Sequence, residues 1–251
     1  MADDFILQTS GLTKEFKGFF AVNGVDLSIR RGTIHALIGP NGAGKTTCFN
    51  LLTKFLDPSR GKIVYKGEDI TRTSPADVAR KGLVRSFQIS AVFPRLTALE
   101  NVRIGLQSRR GGSFDFWRPQ SVLNEMNARA AELLDAVGLL EFADVPAGEL
   151  SYGRKRSLEI ATTLALEPEV MLLDEPMAGM AQEDVGRIAA LIKKVSANRT
   201  ILMVEHNLSV VADLSDFITV LARGRVLAEG DYATVSKDER VIEAYIGVGH
   251  A

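Results

Sequence analysis

The sequence has 251 residues but only one cysteine, Cys48, and its aromatic residues make up 7% of the chain. A single cysteine excludes an internal disulfide and fits a reducing compartment. We expect Cys48 to be a small buried packing residue, and a redox switch is the alternative.

The chain also lacks long apolar runs and a strong excess of either charge. No run approaches the roughly 18 apolar residues that a membrane-spanning helix needs. Residues 1–11 carry two aspartates and no basic region, so we do not expect a secretory signal there. The net charge of −1 provides no basic field for nucleic acid, so no nucleic-acid partner is predicted.

What the sequence does contain is 46% hydrophobic residues, enough for one large domain or a core with a subdomain. Short segments at 5–9, 12–16 and 25–29, broken by glycines, predict antiparallel strands. Between residues 97 and 150 the apolar period becomes helical, with a loop predicted at 108–120. The alternation of strands and helices resumes at Val170, which indicates a helical insert within an α/β core.

The strongest motif is GPNGAGKTT, from Gly39 to Thr47, which matches the phosphate-binding pattern G-x-x-x-x-G-K-[ST]. An apolar strand is predicted before it at 33–38 and a helix after it, as the motif requires. Inward-facing amides and the helix N-terminus make such a loop an anion site. Lys45 is expected to reach the β- and γ-phosphates of a nucleotide, and the Thr46 hydroxyl to join a Mg²⁺ shell. The residues predicted to bind the nucleotide here are Gly39, Asn41, Gly42, Gly44, Lys45, Thr46 and Thr47.

A second candidate feature is the apolar strand at 170–173, which is followed by Asp174 and Glu175. Ligands of open α/β sheets bind at the carboxyl ends of the strands, so this pair should meet the phosphate loop. Asp174 is predicted to hold Mg²⁺, and Glu175 to polarise a water for in-line attack on the γ-phosphorus. Alone, the pair is equally compatible with a solvated strand end, but the upstream phosphate loop favours the functional interpretation.

Weaker candidates occupy comparable positions. His206 follows the strand predicted at 200–204 and is expected near the γ-phosphate, with a surface or capping histidine as the alternative. Gln88 follows the strand predicted at 83–87 and is expected to reach metal or water, unless it is an ordinary exposed glutamine. Ser151 and Gly153 precede a helical segment and predict a second anion site; an ordinary helix cap with solvated basic residues is the alternative.

In this order and spacing, the phosphate loop, Gln88, LSYG at 150–153, LLDEP at 172–176 and Glu205-His206 resemble the ATP-binding subunits of ABC transporters. The resemblance covers essentially the whole chain. It implies an α/β fold with a RecA-like P-loop NTPase core and an amino-terminal antiparallel β subdomain, at 1–89 and 157–251. It also implies an inserted α-helical subdomain at 90–156 that carries the signature motif.

The same resemblance implies individual roles. Glu175 would be the catalytic base, His206 the switch histidine and Gln88 the Q-loop glutamine, with Lys45 also in the catalytic set. Phe16 stands where an aromatic ring stacks on adenine, although by residue type alone it is a core residue.

Residues 84–88, 97–102 and 108–120 and the segment VIEAYIG (241–247) further resemble the longer ATPase subunit of branched-chain amino acid importers. That implies ATP and Mg²⁺ as cofactors, and a second ATPase subunit in a homodimer or a heterodimer with a paralogue. It also implies membrane permeases, an indirect periplasmic substrate-binding protein, and a peripheral location on the cytoplasmic face of the bacterial inner membrane. The alternatives are a soluble ABC ATPase without a permease, or an importer ATPase for urea, amides or aromatic acids.

Three positions depart from the family pattern. Tyr152 replaces a usual glycine and Arg154 a usual glutamine, while Ala181 stands where an aspartate is common. In this family the loop that contains this position, the D-loop, contacts the second subunit, and Ala181 puts that contact in question. Glu175 is intact, which favours a competent ATPase.

Overall fold

The computed structural model describes residues 4–86, 92–110 and 120–246. In its first part the elements are β1 (Phe5–Phe16), β2 (Phe19–Val25), β3 (Ser28–Arg30), β4 (Ile34–Ile38), α1 (Lys45–Leu52), β5 (Arg60–Tyr65), β6 (Glu68–Asp69), α2 (Pro75–Arg80) and β7 (Leu83–Ser86). They continue as α3 (Ala98–Arg110), α4 (Gln120–Ala136), α5 (Tyr152–Leu164), β8 (Val170–Asp174), α6 (Gln182–Ser196), β9 (Thr200–Val204), α7 (Leu208–Leu214), β10 (Phe217–Ala222), β11 (Arg225–Gly230), α8 (Tyr232–Val235) and α9 (Glu239–Ile246). Two short 3₁₀ turns, Leu140–Phe142 and Ala147–Glu149, lead from α4 to α5.

The amino-terminal sheet is antiparallel, with strand order β2-β1-β5-β6 and β3 also paired to β1. The prediction of a strand break at Gly11 was wrong, because β1 continues through it. Gly11 has φ +58°, and the pairing with β5 shifts register between Ser10 and Thr13, so the strand bends without ending. Strand β2 was not predicted, because its first residues, Phe19 and Phe20, are exposed and break the alternating pattern.

The second sheet has the order β11-β10-β4-β9-β8-β7, parallel except for the β10–β11 hairpin. Strands β4, β8 and β9 are buried along their full length, as expected for parallel strands covered on both faces. Their carboxyl ends bring the chain after Ile38, Asp174 and Val204 to one edge of the sheet. The predicted α/β fold class is confirmed.

The helical part packs α3, α4 and α5 against one another. The predicted loop at 108–120 overlaps helices at both ends, because α3 continues to Arg110 and α4 begins at Gln120. Residues 111–119 lie outside the described residues. A Cβ added at Gly105 would lie 2.9 Å from both the Thr162 carbonyl oxygen and the Ala165 Cβ. A residue without a side chain is therefore what lets α3 approach α5.

Helix α1 buries Phe49, Leu51 and Leu52 and ends at Leu52, and Phe55 beyond its end is 52% exposed. Cys48 is fully buried, and burial raises the pKa of its thiol to about 12, which supports packing over redox chemistry. None of the helices in the described ranges is both long and apolar enough to span a bilayer.

Candidate functional site

Backbone carbonyl groups of two neighbouring strands pack closely against the phosphate loop. Gly39 has φ +150°, and a Cβ there would lie 2.1 Å from the carbonyl oxygen of Leu221 at the end of β10. Gly44 has φ +101°, and its Cβ would lie 2.3 Å from the Ala21 carbonyl oxygen on β2. Both positions therefore require glycine, and the loop enters α1 with its main chain fixed.

Lys45, the first residue of α1, is folded back over the loop. Its Nζ donates to the carbonyl oxygens of Gly39 at 2.6 Å and Pro40 at 3.1 Å. An ammonium carries three donors, so this geometry leaves one for a phosphate oxygen. Partial burial lowers the pKa of Lys45, and the nearby carboxylates of Glu175 and Asp174 act in the opposite direction. The Lys45 ammonium is thus already hydrogen-bonded to the backbone of the loop.

Other predicted loop residues face outward. Asn41, Gly42 and Thr46 are exposed and Thr47 is partly exposed, so these positions are accessible to a ligand.

Asp174 ends β8 beside α1, and it is only 1% exposed. Its carboxylate forms an ion pair with Arg85 of β7, whose guanidinium also donates to the Asn50 side chain on α1. Arg85 therefore joins the phosphate-loop helix to the acidic strand end. Arg85 was not predicted as a site residue, although an arginine between Val84 and Ser86 in a short apolar strand is the signal of a buried ion pair.

Glu175 occupies the left-handed region, with φ +45°, and its N–H donates to the Val204 carbonyl oxygen at 2.9 Å. This backbone conformation is uncommon outside glycine and often occurs at functional turns. Glu175 is partly exposed whereas Asp174 is buried. The adjacent carboxylates therefore lie in different environments, as their separate predicted roles require.

His206 follows β9 on the same sheet edge, and its side chain is 64% exposed. Glu205 beside it is fully buried and accepts hydrogen bonds from three backbone amides, those of Met177 at 3.0 Å, His206 at 3.0 Å and Asn207 at 3.2 Å. Glu205 thus ties the loop after Glu175 to the loop that carries His206. Glu205 was predicted only as part of the Glu205-His206 motif. Its hydrogen bond to the distant Met177 amide leaves no local pattern in the sequence.

The LSYG segment forms the start of α5. Ser151 is the N-cap residue, but its side chain makes no capping hydrogen bond. A Cβ at Gly153 would lie 2.5 Å from the Cγ of Asp184 on α6, so this glycine is required by close packing. The Tyr152 hydroxyl donates to the Ala178 carbonyl oxygen at 3.0 Å. The segment is therefore attached to residues 178–184, downstream of the acidic pair.

The alternative of solvated basic residues after LSYG is wrong for Arg156. That side chain is buried, pairs with Glu159 at 2.5 Å and donates to the Asp174 carbonyl oxygen at 3.1 Å. Arg154 lies 4.0 Å from the centroid of the Phe142 ring. Among the described hydrogen bonds, none joins Ser151 or Gly153 to the phosphate loop of the same chain.

Phe16, at the end of β1, is 44% exposed, with the Lys14 Nζ 5.2 Å from its ring centroid. The alternative of a core phenylalanine is therefore wrong. Gln88 lies outside the described residues.

Comparisons with known proteins identify the family to which this chain belongs. The family model described as ABC transporter matches residues 22–178, and the one described as branched-chain amino acid ATP-binding cassette transporter matches residues 225–251. The chain is 41% identical to the high-affinity branched-chain amino acid transport ATP-binding protein BraF of Pseudomonas aeruginosa, over 96% of this chain and 98% of BraF. It is 38% identical to LivG of Escherichia coli K12, which has the same description, over the same shares of the two chains.

Solved structures show the same architecture. A nucleotide-free ATP-binding cassette from an ABC transporter superposes with a TM-score of 0.86 at 33% identity, covering 97% of this chain and 99% of the other. The ADP conformation of an ATP-binding cassette of an ABC transporter gives the same values. The chain therefore belongs to the ABC transporter family of ATP-binding proteins, in its branched-chain amino acid group, and is an ATPase.

Proposed function

We propose that this chain is the ATP-hydrolysing subunit of an importer for branched-chain or related amino acids. The observation that carries the hydrolytic part is the meeting of a preformed phosphate loop with Asp174 and Glu175 at one sheet edge. The importer type is supported by the similarity to BraF and LivG along almost the whole chain.

In this proposal the phosphates bind the amides of the loop, and Lys45 directs an N–H at the β- and γ-phosphates. Glu175 accepts a proton from the attacking water, and exposed His206 contacts the γ-phosphate from the neighbouring strand end. Phe16 stacks on the adenine, which its exposed ring permits.

The site residues also fit Mg²⁺. The Thr46 hydroxyl, the Asp174 carboxylate and Gln88 would hold it, and all three offer the oxygen ligands that this hard cation prefers. When bound, the cation neutralises charge on the β- and γ-phosphates.

The signature residues Ser151 and Gly153 are proposed to bind ATP held on a second ATPase subunit, identical or paralogous. This is supported by the packing of Gly153 against Asp184 and by the neighbouring Tyr152, whose hydroxyl donates to the Ala178 carbonyl oxygen. ATP then favours the closed dimer because it binds that state more tightly, and hydrolysis releases it. We place the signature in a helical subdomain at 90–156, inserted in a core at 1–89 and 157–251.

The closing motion would act on membrane permeases at the cytoplasmic face of the bacterial inner membrane, with a periplasmic protein delivering the amino acid. A reconstitution in vesicles tests this: the chain with the permeases encoded beside it, and the receptor loaded in turn with leucine, urea, a short amide or an aromatic acid. Stimulation of ATP hydrolysis by leucine supports the proposal. Stimulation only by another cargo selects that importer type, and full activity without any associated permease supports the soluble ATPase.

A further inference from the structure

The carboxyl-terminal helix α9 places an unusual hydroxyl against the phosphate loop. The Tyr245 hydroxyl is buried and has no hydrogen-bond partner among the described residues. The backbone amide of Gly39 lies beside the phenol oxygen without completing a hydrogen bond of normal geometry. Burial raises the pKa of Tyr245, and the Gly39 amide acts in the opposite direction. Buried polar groups normally have partners, so this exception requires an explanation.

The position of Gly39 makes the contact relevant to ligand binding. Gly39 is the first residue of the loop; its carbonyl oxygen accepts from Lys45, and the carbonyl of Leu221 excludes any side chain. Tyr245 lies next to the same peptide. Hence Gly39 is hydrogen-bonded to the lysine that reaches the phosphates, packs against β10 and has Tyr245 of the carboxyl-terminal helix beside it.

Helix α9 is anchored well enough to act on the loop. Val241 is 6% exposed, and both it and Tyr245 pack against the larger hydrophobic core. A cleft separates the outer side of the loop, at Pro40–Ala43, from the α9 residues Arg240, Glu243 and Ala244. The helix therefore touches the loop at its first glycine and stands apart from it further along.

We propose that Tyr245 is a positioning residue for the nucleotide: when phosphates occupy the loop, its hydroxyl accepts a hydrogen bond from the Gly39 amide and holds the start of the loop in its binding geometry. Hydrogen bonds around a site are often long without ligand and shorten in the complex, which accounts for the incomplete contact. The inference rests on the proposed nucleotide function and assigns a role in it to the carboxyl-terminal helix.

The test is Tyr245→Phe, which keeps the ring and removes only the hydroxyl. The nucleotide-free variant should be as stable as the wild type or more stable, because a buried unpartnered group is lost. Its affinity for Mg²⁺ and a non-hydrolysable ATP analogue, measured by calorimetry, should fall about fivefold, the effect of one neutral hydrogen bond. A tyrosine that only packs would not combine retained stability with weaker binding.

Tyr65→Phe is the matched control. Tyr65 is also a buried tyrosine whose hydroxyl lacks a partner among the described residues, but it belongs to β5 in the other sheet. This variant should gain stability with unchanged affinity. If the wild type binds the analogue and Tyr245→Phe binds it within twofold as tightly, the inference is overturned.

Hydrogen exchange on the wild type supplies a second measurement that needs no variant. Exchange at Gly39 and in α9 should slow on addition of the analogue, and unchanged exchange at both would overturn the inference. If the wild type itself binds no nucleotide, the proposed function fails, and this outcome differs from wild-type binding without any effect of Tyr245.

Discussion

Arg85 on β7 and Asp174 on β8 form a buried ion pair beneath the phosphate loop. Their side chains are 9% and 1% exposed, and the same guanidinium holds Asn50 on α1. A buried carboxylate is costly unless it is paired. Arg85 therefore holds the side chain of the proposed metal-binding aspartate in place while linking three elements of the core.

Breaking the Arg85–Asp174 pair should strongly destabilise the fold. We predict that Arg85→Met lowers the free energy of unfolding by about 3–5 kcal/mol, because it leaves an uncompensated buried charge. Urea unfolding of the purified chain measures this. Arg31→Met is the control, since the Arg31–Glu169 pair is exposed and should contribute less than about 1 kcal/mol. Equal unfolding midpoints for the two variants would show that the buried pair is not structurally important.

Glu175→Gln tests the general base. We expect the variant to bind Mg·ATP, to lose turnover by about 100-fold or more, and to accumulate as an ATP-bound dimer, because the amide cannot take the proton from water. Phosphate release and light scattering measure the two effects. Glu183→Gln, an exposed acid in the first turn of α6, should behave like the wild type. Normal hydrolysis in Glu175→Gln would remove Glu175 from the proposed role.

Gly153→Ala tests the signature segment. The new Cβ would lie 2.5 Å from the Asp184 Cγ, so α5 and α6 must shift at the residues proposed to meet the second subunit. We expect hydrolysis to fall severalfold while the affinity of the phosphate loop for ATP is retained. Gly186→Ala on the same α6 has no atom within 4 Å of its Cβ and should stabilise the helix by up to about 1 kcal/mol. Wild-type turnover in Gly153→Ala would argue against the close contact.

His35 predicts a pH dependence of stability. It is buried on β4, and burial lowers the pKa of its imidazole from 6.5 to about 4. Thr219 donates its hydroxyl proton to Glu229 at 2.6 Å, so the His35 Nε2, 2.8 Å from the Thr219 oxygen, must be the donor to it. These hydrogen bonds place a proton on Nε2, and burial disfavours the second proton that would charge the imidazole in the folded state.

Between pH 4 and 6.5 the unfolded chain binds the proton and the folded chain does not, so stability rises with pH across that window. The contribution should be complete above the upper value, and about 3 kcal/mol should be lost at the lower one. His35→Gln should flatten the profile measured by urea unfolding, whereas His206→Gln, at an exposed position, should not. An unchanged slope in His35→Gln would contradict this explanation.

The sequence predicted the phosphate loop, the acidic strand end and the fold class because each depends on a local pattern. The glycines of the loop and the apolar run before Asp174 are recognisable without knowing the fold. By contrast, Arg85 and Glu205 gain their importance from partners far along the chain, Asp174 and Met177, so a linear pattern cannot reveal them.

Local rules also failed where tertiary packing overrides them. Gly11 was expected to end a strand, but pairing on both sides carries β1 through it. Phe16 was expected in the core by residue type alone, yet it stands at the exposed end of β1. The roles of the site residues, including Gln88 outside the described residues, remain predictions for experiment.

The central claim is that nucleotide phosphates bind the loop that begins at Gly39, under Lys45. Equilibrium binding of Mg·ATP to the wild type and to Lys45→Ala tests it most directly. We predict saturable binding by the wild type and at least about tenfold weaker binding by the variant, because a hydrogen bond to a charged group contributes about 1.5–3 kcal/mol. No binding by the wild type, or equal affinities for the two proteins, would contradict the account.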